Sequence, residues 1–168
     1  MSAYGFPGAA ISDRGTAGAH GGGAWMKLII SADDGSDGAG RAVAFAAVLA
    51  KSFDAKLLIV HVSDDKFSQK QLAQLEQLKV TEGDALEQIS LRILSNAKAI
   101  AKDHGAANID TMTAAGDPAK VIIELAKRKR ADAIVVGRRG LGQLEGLLLG
   151  SISQKLASLA PCAVIIVQ

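Results

Sequence analysis

Five short apolar runs punctuate the chain, and the stretches between them carry a helical period or a turn signal. The runs cover residues 27–32, 56–62, 108–114, 131–136 and 163–167. Leu57-Leu58-Ile59-Val60 and Ala133-Ile134-Val135-Val136 are continuous rather than alternating. Continuous runs fit strands buried on both faces, as in a parallel sheet. Residues 108–114 are more polar, which places that strand nearer an edge. A helix over 39–53 shows a small face of Ala42, Val43, Ala46, Ala47 and Ala50. A second, from 84 to about 104, puts Leu86, Ile89, Ile93, Ala97 and Ile100 on one stripe, and Gly105 suits its stop. Asp117 and Pro118 cap and open a third, with Val121, Ile122, Leu125 and Ala126 as its apolar face. The last helix spans 150–159 and is stopped by Pro161. Residues 63–83 are polar, and a helical turn around Leu72 and Leu75 stays unassigned. The order βαβαβαβαβ predicts an α/β fold, an open five-stranded parallel sheet with helices on both faces and right-handed crossovers.

Residues 1–25 are rich in Gly and Ala and show no period. They read as a flexible N-terminal tail, and residues 26–168 as one folded domain. The tail lacks the basic start and continuous apolar core of a signal peptide, and Met26 is an alternative start. His20 stands alone in a glycine run, which favours a tail over a metal tract.

Composition narrows the function classes. Apolar residues make up 49% of the chain, enough for a sizeable core. The formal net charge is +2, which gives no warrant for a nucleic-acid or membrane partner. No apolar run reaches transmembrane length. The single cysteine, Cys162, excludes an internal disulfide and fits a reducing cytosol.

The candidate chemistry sits at strand ends. The fourth apolar run stops at Gly137; Gly140 follows, then Gly150 and Ser151 at a helix start. Glycines allow φ > 0 and close approach to a ligand. A helix N-terminus offers unpartnered N–H groups at the positive end of its dipole. Strand, glycine turn and helix start together suit a phosphate cradle. The first run ends at Asp33-Asp34-Gly35-Ser36, a dense turn signal.

The spacing Gly-x2-Gly-x9-Gly-Ser, from Gly137 to Ser151, resembles the nucleotide-binding signature of the universal stress protein family. Ile29 to Ser36, His61-Val62 and Gly116-Asp117-Pro118 extend the resemblance over residues 26–168. It implies an adenine nucleotide alpha hydrolase-like sheet of order 3-2-1-4-5, which sets the Asp34 turn beside the Gly137 turn. It implies ATP as ligand, with Mg²⁺ held through the phosphates. Asp34 would contact the nucleoside, beside Asp33, where the family usually has a less polar residue. Ala32 and Val62 would line the adenine, with Val136 at the adjoining strand end. Gly137 and Gly140 would wrap the phosphates. Arg138 and Arg139 stand between them, and alternation allows one guanidinium inward. Gly150, Ser151 and Ile152 would present N–H groups, and Leu144, Leu147, Leu148 and Leu149 would pin the intervening loop to the body. The resemblance further implies a cytoplasmic homodimer joined through the last strand, whose apolar edge invites pairing.

The other candidates have structural readings. Lys127 to Arg130 ends a helix, where cations suit the dipole. His61 and His104 lack partners at metal spacing. Cys162 reads as a small core residue. Three functions compete: an ATP-binding stress-response or signalling module, a dimeric interaction protein without nucleotide, and a slow ATP hydrolase or adenylate-forming relative. A Walker-type Gly-x4-Gly-Lys-Ser/Thr is absent, and no general base stands in the phosphate loop, Glu145 being the nearest acid.

Overall fold

The computed structural model describes residues 25–63, 81–141 and 148–168. The expectations for the N-terminal tail, for Leu72 and Leu75, and for Leu144, Glu145 and Leu147 lie outside these residues. Five strands form one sheet: β1 (Leu28–Ala32), β2 (Lys56–Ser63), β3 (Ile109–Ala115), β4 (Ala133–Gly137) and β5 (Ala163–Val167). Their order is β3-β2-β1-β4-β5 and every neighbouring pair is parallel. Ile29 is central, in register with Leu57 on one side and Ala133 on the other. The more polar β3 lies at an edge, as its sequence predicts.

Four helices cover the sheet: α1 (Asp37–Phe53), α2 (Glu82–Asp103), α3 (Pro118–Lys129) and α4 (Ser151–Leu159). Strand alternation divides the core into two layers. Ile29, Leu57, Ile59 and Val135 face α1 and α2. Ile30, Leu58, Val60, Ile134 and Val136 face α3 and α4. Both layers rest on fully buried Ile, Leu and Val side chains, each contributing about 1.5–3 kcal/mol through burial.

Local chemistry sets the helix starts. Ser36 caps α1 by accepting from the Ala39 N–H at 3.2 Å, two residues earlier than the apolar pattern suggests. Thr81 caps α2 by accepting from the Asp84 N–H. Asp117 caps α3 through the Lys120 N–H at 2.9 Å, with Pro118 next. The exposed Asp117 carboxyl is held below the usual carboxylate range, first by that backbone bond and then by Lys155.

The α2 stripe differs from the expected one. Ala85, Ser90, Leu94, Ala97 and Ala101 are buried, whereas Ile89 is 47% exposed. The helix turns its smaller side inward because it packs beside the alanine face of α1, and small residues permit that close approach. Leu86, Ile93 and Ile100 flank the seam, half-buried.

Candidate functional site

The connection out of β1 runs to one face of the sheet and that out of β4 to the other, so the winding reverses between these neighbours. A crevice opens at their carboxyl ends, as it does at such switch points. Its apolar end is lined by Ala32, Val62 and Val136 from the strand ends, with Pro118 and Ile122 of α3 and Ile152 of α4 opposite. Asp34, Gly137, Arg139 and Gly140 form the polar end. The enclosed volume is about 70 Å³, well below the roughly 300–1,000 Å³ of a site that swallows a ligand. A larger ligand would seat one apolar group there and lay its remainder along the open turn.

Asp33 and Asp34 take opposite roles. Asp33 is only 6% exposed, and its carboxylate accepts the Gly35 N–H at 2.7 Å. Burial pushes its carboxyl above the ordinary value; the Gly35 bond opposes this, Asp34 adds to it and His61 opposes it. Asp33 therefore shapes the turn. Asp34 points across the crevice mouth: one carboxylate oxygen accepts the Ser36 N–H at 3.1 Å and the other the Leu141 N–H at 2.9 Å. A carboxylate has about four lone-pair sites, so it can accept further donors.

The glycines serve close approach and not left-handed backbone. Among the described residues the glycines with positive φ are Gly35, Gly105 and Gly116, so the positive φ open to Gly137, Gly140 and Gly150 is not used. A Cβ on Gly137 would meet the Gly38 carbonyl carbon at 2.8 Å, because α1 begins against the β4 end. A Cβ on Gly140 would collide with the Asp34 carboxylate, at 2.2 Å from an oxygen. Gly150 caps α4 with φ −70° and no side-chain cap bond.

Nine of the residues singled out in the sequence line the crevice: Ala32, Asp33, Asp34, Val62, Val136, Gly137, Arg139, Gly140 and Ile152. Of the two arginines, Arg139 is the inward one. The Arg138 N–H donates to the Val167 carbonyl at 2.7 Å, and its carbonyl accepts from Gly150. Gly150 thus commits its own N–H to the turn and offers none to a ligand. Ser151 is exposed at the first turn of α4. Leu148 does not pin the chain to the body: it is 79% exposed, whereas Leu149 is half-buried.

Sequence reasoning missed Pro118, Ile122 and Ser153. The Ser153 hydroxyl donates to the Gly137 carbonyl at 2.8 Å, tying α4 to the β4 end. Its position one turn into the helix was the available signal. Cys162 packs partly buried beside the α3 and α4 layer; burial, then Asp132, pushes its thiol up, which opposes nucleophilic use. Among the described residues no group of His, Cys, Asp and Glu could hold a metal ion, and no helix is long and apolar enough to cross a membrane.

Fold and crevice define an α/β protein with an open crevice at its topological switch point. The universal stress protein family profile matches residues 26–168. A Thermus aquaticus universal stress protein, from the QAH/OAS sulfhydrylase 3′ region, is 36% identical over 151 residues, covering 85% of this chain and 99% of its own. The chain belongs to the universal stress protein family. Among solved structures, a universal stress protein in complex with cAMP is 30% identical, with TM-score 0.63 over 85% of this chain and 97% of its own. The Archaeoglobus fulgidus protein in complex with dAMP is 21% identical and shares the fold, with TM-score 0.58 over 86% of this chain and 99% of its own.

Proposed function

We propose that this protein binds an adenine nucleotide, ATP, in the crevice between the β1 and β4 ends, and acts as a stress-response or signalling module. One observation carries the reading. A carboxylate, a glycine turn bearing an inward arginine and an uncapped helix N-terminus converge on one apolar slot. Each part suits a different piece of the ligand. Ala32, Val62, Val136 and Ile152 suit the adenine, and Asp34 a sugar hydroxyl. Arg139 and the N–H groups of Ser151 and Ile152 suit phosphates, which in turn would hold Mg²⁺. The related protein complexed with cAMP supports an adenine nucleotide as the class.

The reading extends to a cytoplasmic homodimer. Strand β5 is an edge with Val164, Ile165, Ile166 and Val167 all half-buried, and a second copy would cover it. The reading is of a binding protein, in which the one carboxylate that reaches the glycine turn among the described lining residues, Asp34, is engaged by the Ser36 and Leu141 N–H groups and assigned to the sugar.

Calorimetric titration of ATP and cAMP into wild type and Asp34→Ala tests this. The variant should fold and lose about 1.5–3 kcal/mol of binding, the value of a hydrogen bond to a charged group. Wild type that binds neither nucleotide refutes the reading and leaves an interaction protein. Tighter binding of cAMP would move the ligand from ATP to the cyclic monophosphate.

A further inference from the structure

Behind the crevice, on the α1 and α2 side of the sheet, lies His61. Alternation along β2 puts Leu58, Val60 and Val62 toward α3 and α4, and Leu57, Ile59 and His61 toward α1 and α2. His61 is 7% exposed, and its Nδ1 lies 2.7 Å from the main-chain oxygen of Asp33. A carbonyl only accepts, so Nδ1 carries the proton and donates. The Asp33 N–H donates to the Val60 carbonyl at 2.9 Å, and its carboxylate accepts from Gly35. Residue 33 is therefore held at three points, two of them on β2.

The carbonyl held by His61 belongs to the peptide unit joining Asp33 to Asp34. That unit is planar, so pinning its oxygen orients the Asp34 N–H and Cα. Asp34 leaves from this fixed plane, and its carboxylate reaches the Leu141 N–H. We propose that His61 is a positioning residue: by holding the Asp33 carbonyl from behind the sheet, it aims the Asp34 carboxylate across the nucleotide crevice. The affinity part of this inference rests on the nucleotide reading above, whereas the aim of Asp34 in the empty protein does not.

Two measurements on the intact chain test it. In ligand-free protein, the Leu141 amide reports the Asp34 bond through its chemical shift and hydrogen exchange. His61→Leu removes the donor, and the Leu141 amide should shift and exchange faster. His61→Asn places an amide N–H where Nδ1 stands and should restore both; His61→Gln, whose amide reaches the Nε2 position, should not. For ATP, His61→Leu should weaken binding about tenfold, equivalent to about 1.4 kcal/mol. In an Asp34→Ala background the same change should cost nothing more, since the residue acts through Asp34. A Leu141 amide unchanged in a folded His61→Leu protein overturns the proposal, as does an equal affinity loss in both backgrounds. If His61→Leu fails to fold, the Asn and Gln variants decide, and equal behaviour at Leu141 overturns it. Wild type that does not bind ATP removes the nucleotide reading alone and leaves the Leu141 readout standing.

Discussion

Replacing Gly140 with alanine separates a ligand role from a folding role. The backbone at 140 has no positive φ, so alanine meets no conformational barrier. Its methyl carbon would, however, stand 2.2 Å from an Asp34 carboxylate oxygen. The carboxylate must swing away, and the bond it accepts from Leu141 breaks. That bond is exposed, so its loss costs about 0.5–1.5 kcal/mol. In a chain of this size the melting temperature should fall by roughly 1–6 °C. Nucleotide affinity should fall further, by about 1.5–3 kcal/mol or roughly ten- to 150-fold, because the displaced carboxylate no longer meets the ligand. The neighbouring glycines supply controls. Gly137→Ala presses on α1 backbone, at 2.8 Å from the Gly38 carbonyl carbon. Backbone yields less than a side chain, so the fold should lose about 1–3 kcal/mol. Gly150→Ala places its methyl 3.4 Å from the Arg138 oxygen and costs about 0.5–1 kcal/mol as a poorer cap. Calorimetric titration with ATP beside thermal melts gives both rankings. Gly137→Ala should show the largest thermal loss, and Gly140→Ala the largest affinity loss for its thermal cost. Gly140→Ala that binds ATP like wild type, while Asp34→Ala does not, would refute the argument that Asp34 needs that space.

Asp33→Asn should stabilise the protein at neutral pH. The amide oxygen still accepts from Gly35, and the buried charge is gone. The folded carboxyl lies above its ordinary 3.8, so the stability it gives is full below that value and lost as pH rises through the folded one. The advantage of the Asn variant should thus shrink as pH falls toward about 4; urea melts showing the variant weaker at neutral pH would refute this. Sedimentation of the intact chain should give a dimer at micromolar concentration, and a lysine at Val164 on the half-buried β5 edge should split it. A wild-type monomer would end the pairing idea.

Much of the fold was legible because its signals are local. The continuous runs at 57–60 and 133–136 state burial on two faces. Asp117-Pro118 states a helix start through capping chemistry that needs no distant partner. Of the four residues that the Gly137-to-Ser151 spacing singles out, Gly137 and Gly140 line the crevice, and Gly150 and Ser151 are not among its lining residues. The α2 stripe was right at Ala97 and, half-buried, at Leu86, Ile93 and Ile100, and wrong at Ile89, because hydrophobicity ranks isoleucine above alanine while packing against an alanine-faced helix selects for size. Leu148 was misread because apolar character alone does not say where a loop runs.

The sequence by itself determined the elements, their alternation and the chemistry at the strand ends, since each follows from neighbours within a few residues. Only the tertiary structure decided what those residues do to one another. Asp33 and Asp34 are adjacent in sequence, yet the first turns its carboxylate back onto the Gly35 N–H and is buried, whereas the second reaches across to the Leu141 N–H. Gly140 is glycine-shaped space for a carboxylate 106 positions earlier in the chain. His61 meets Asp33 across 28 residues of sequence, through a parallel pairing whose connection is a whole helix. Contacts of that range depend on strand order and register, and no local pattern encodes them.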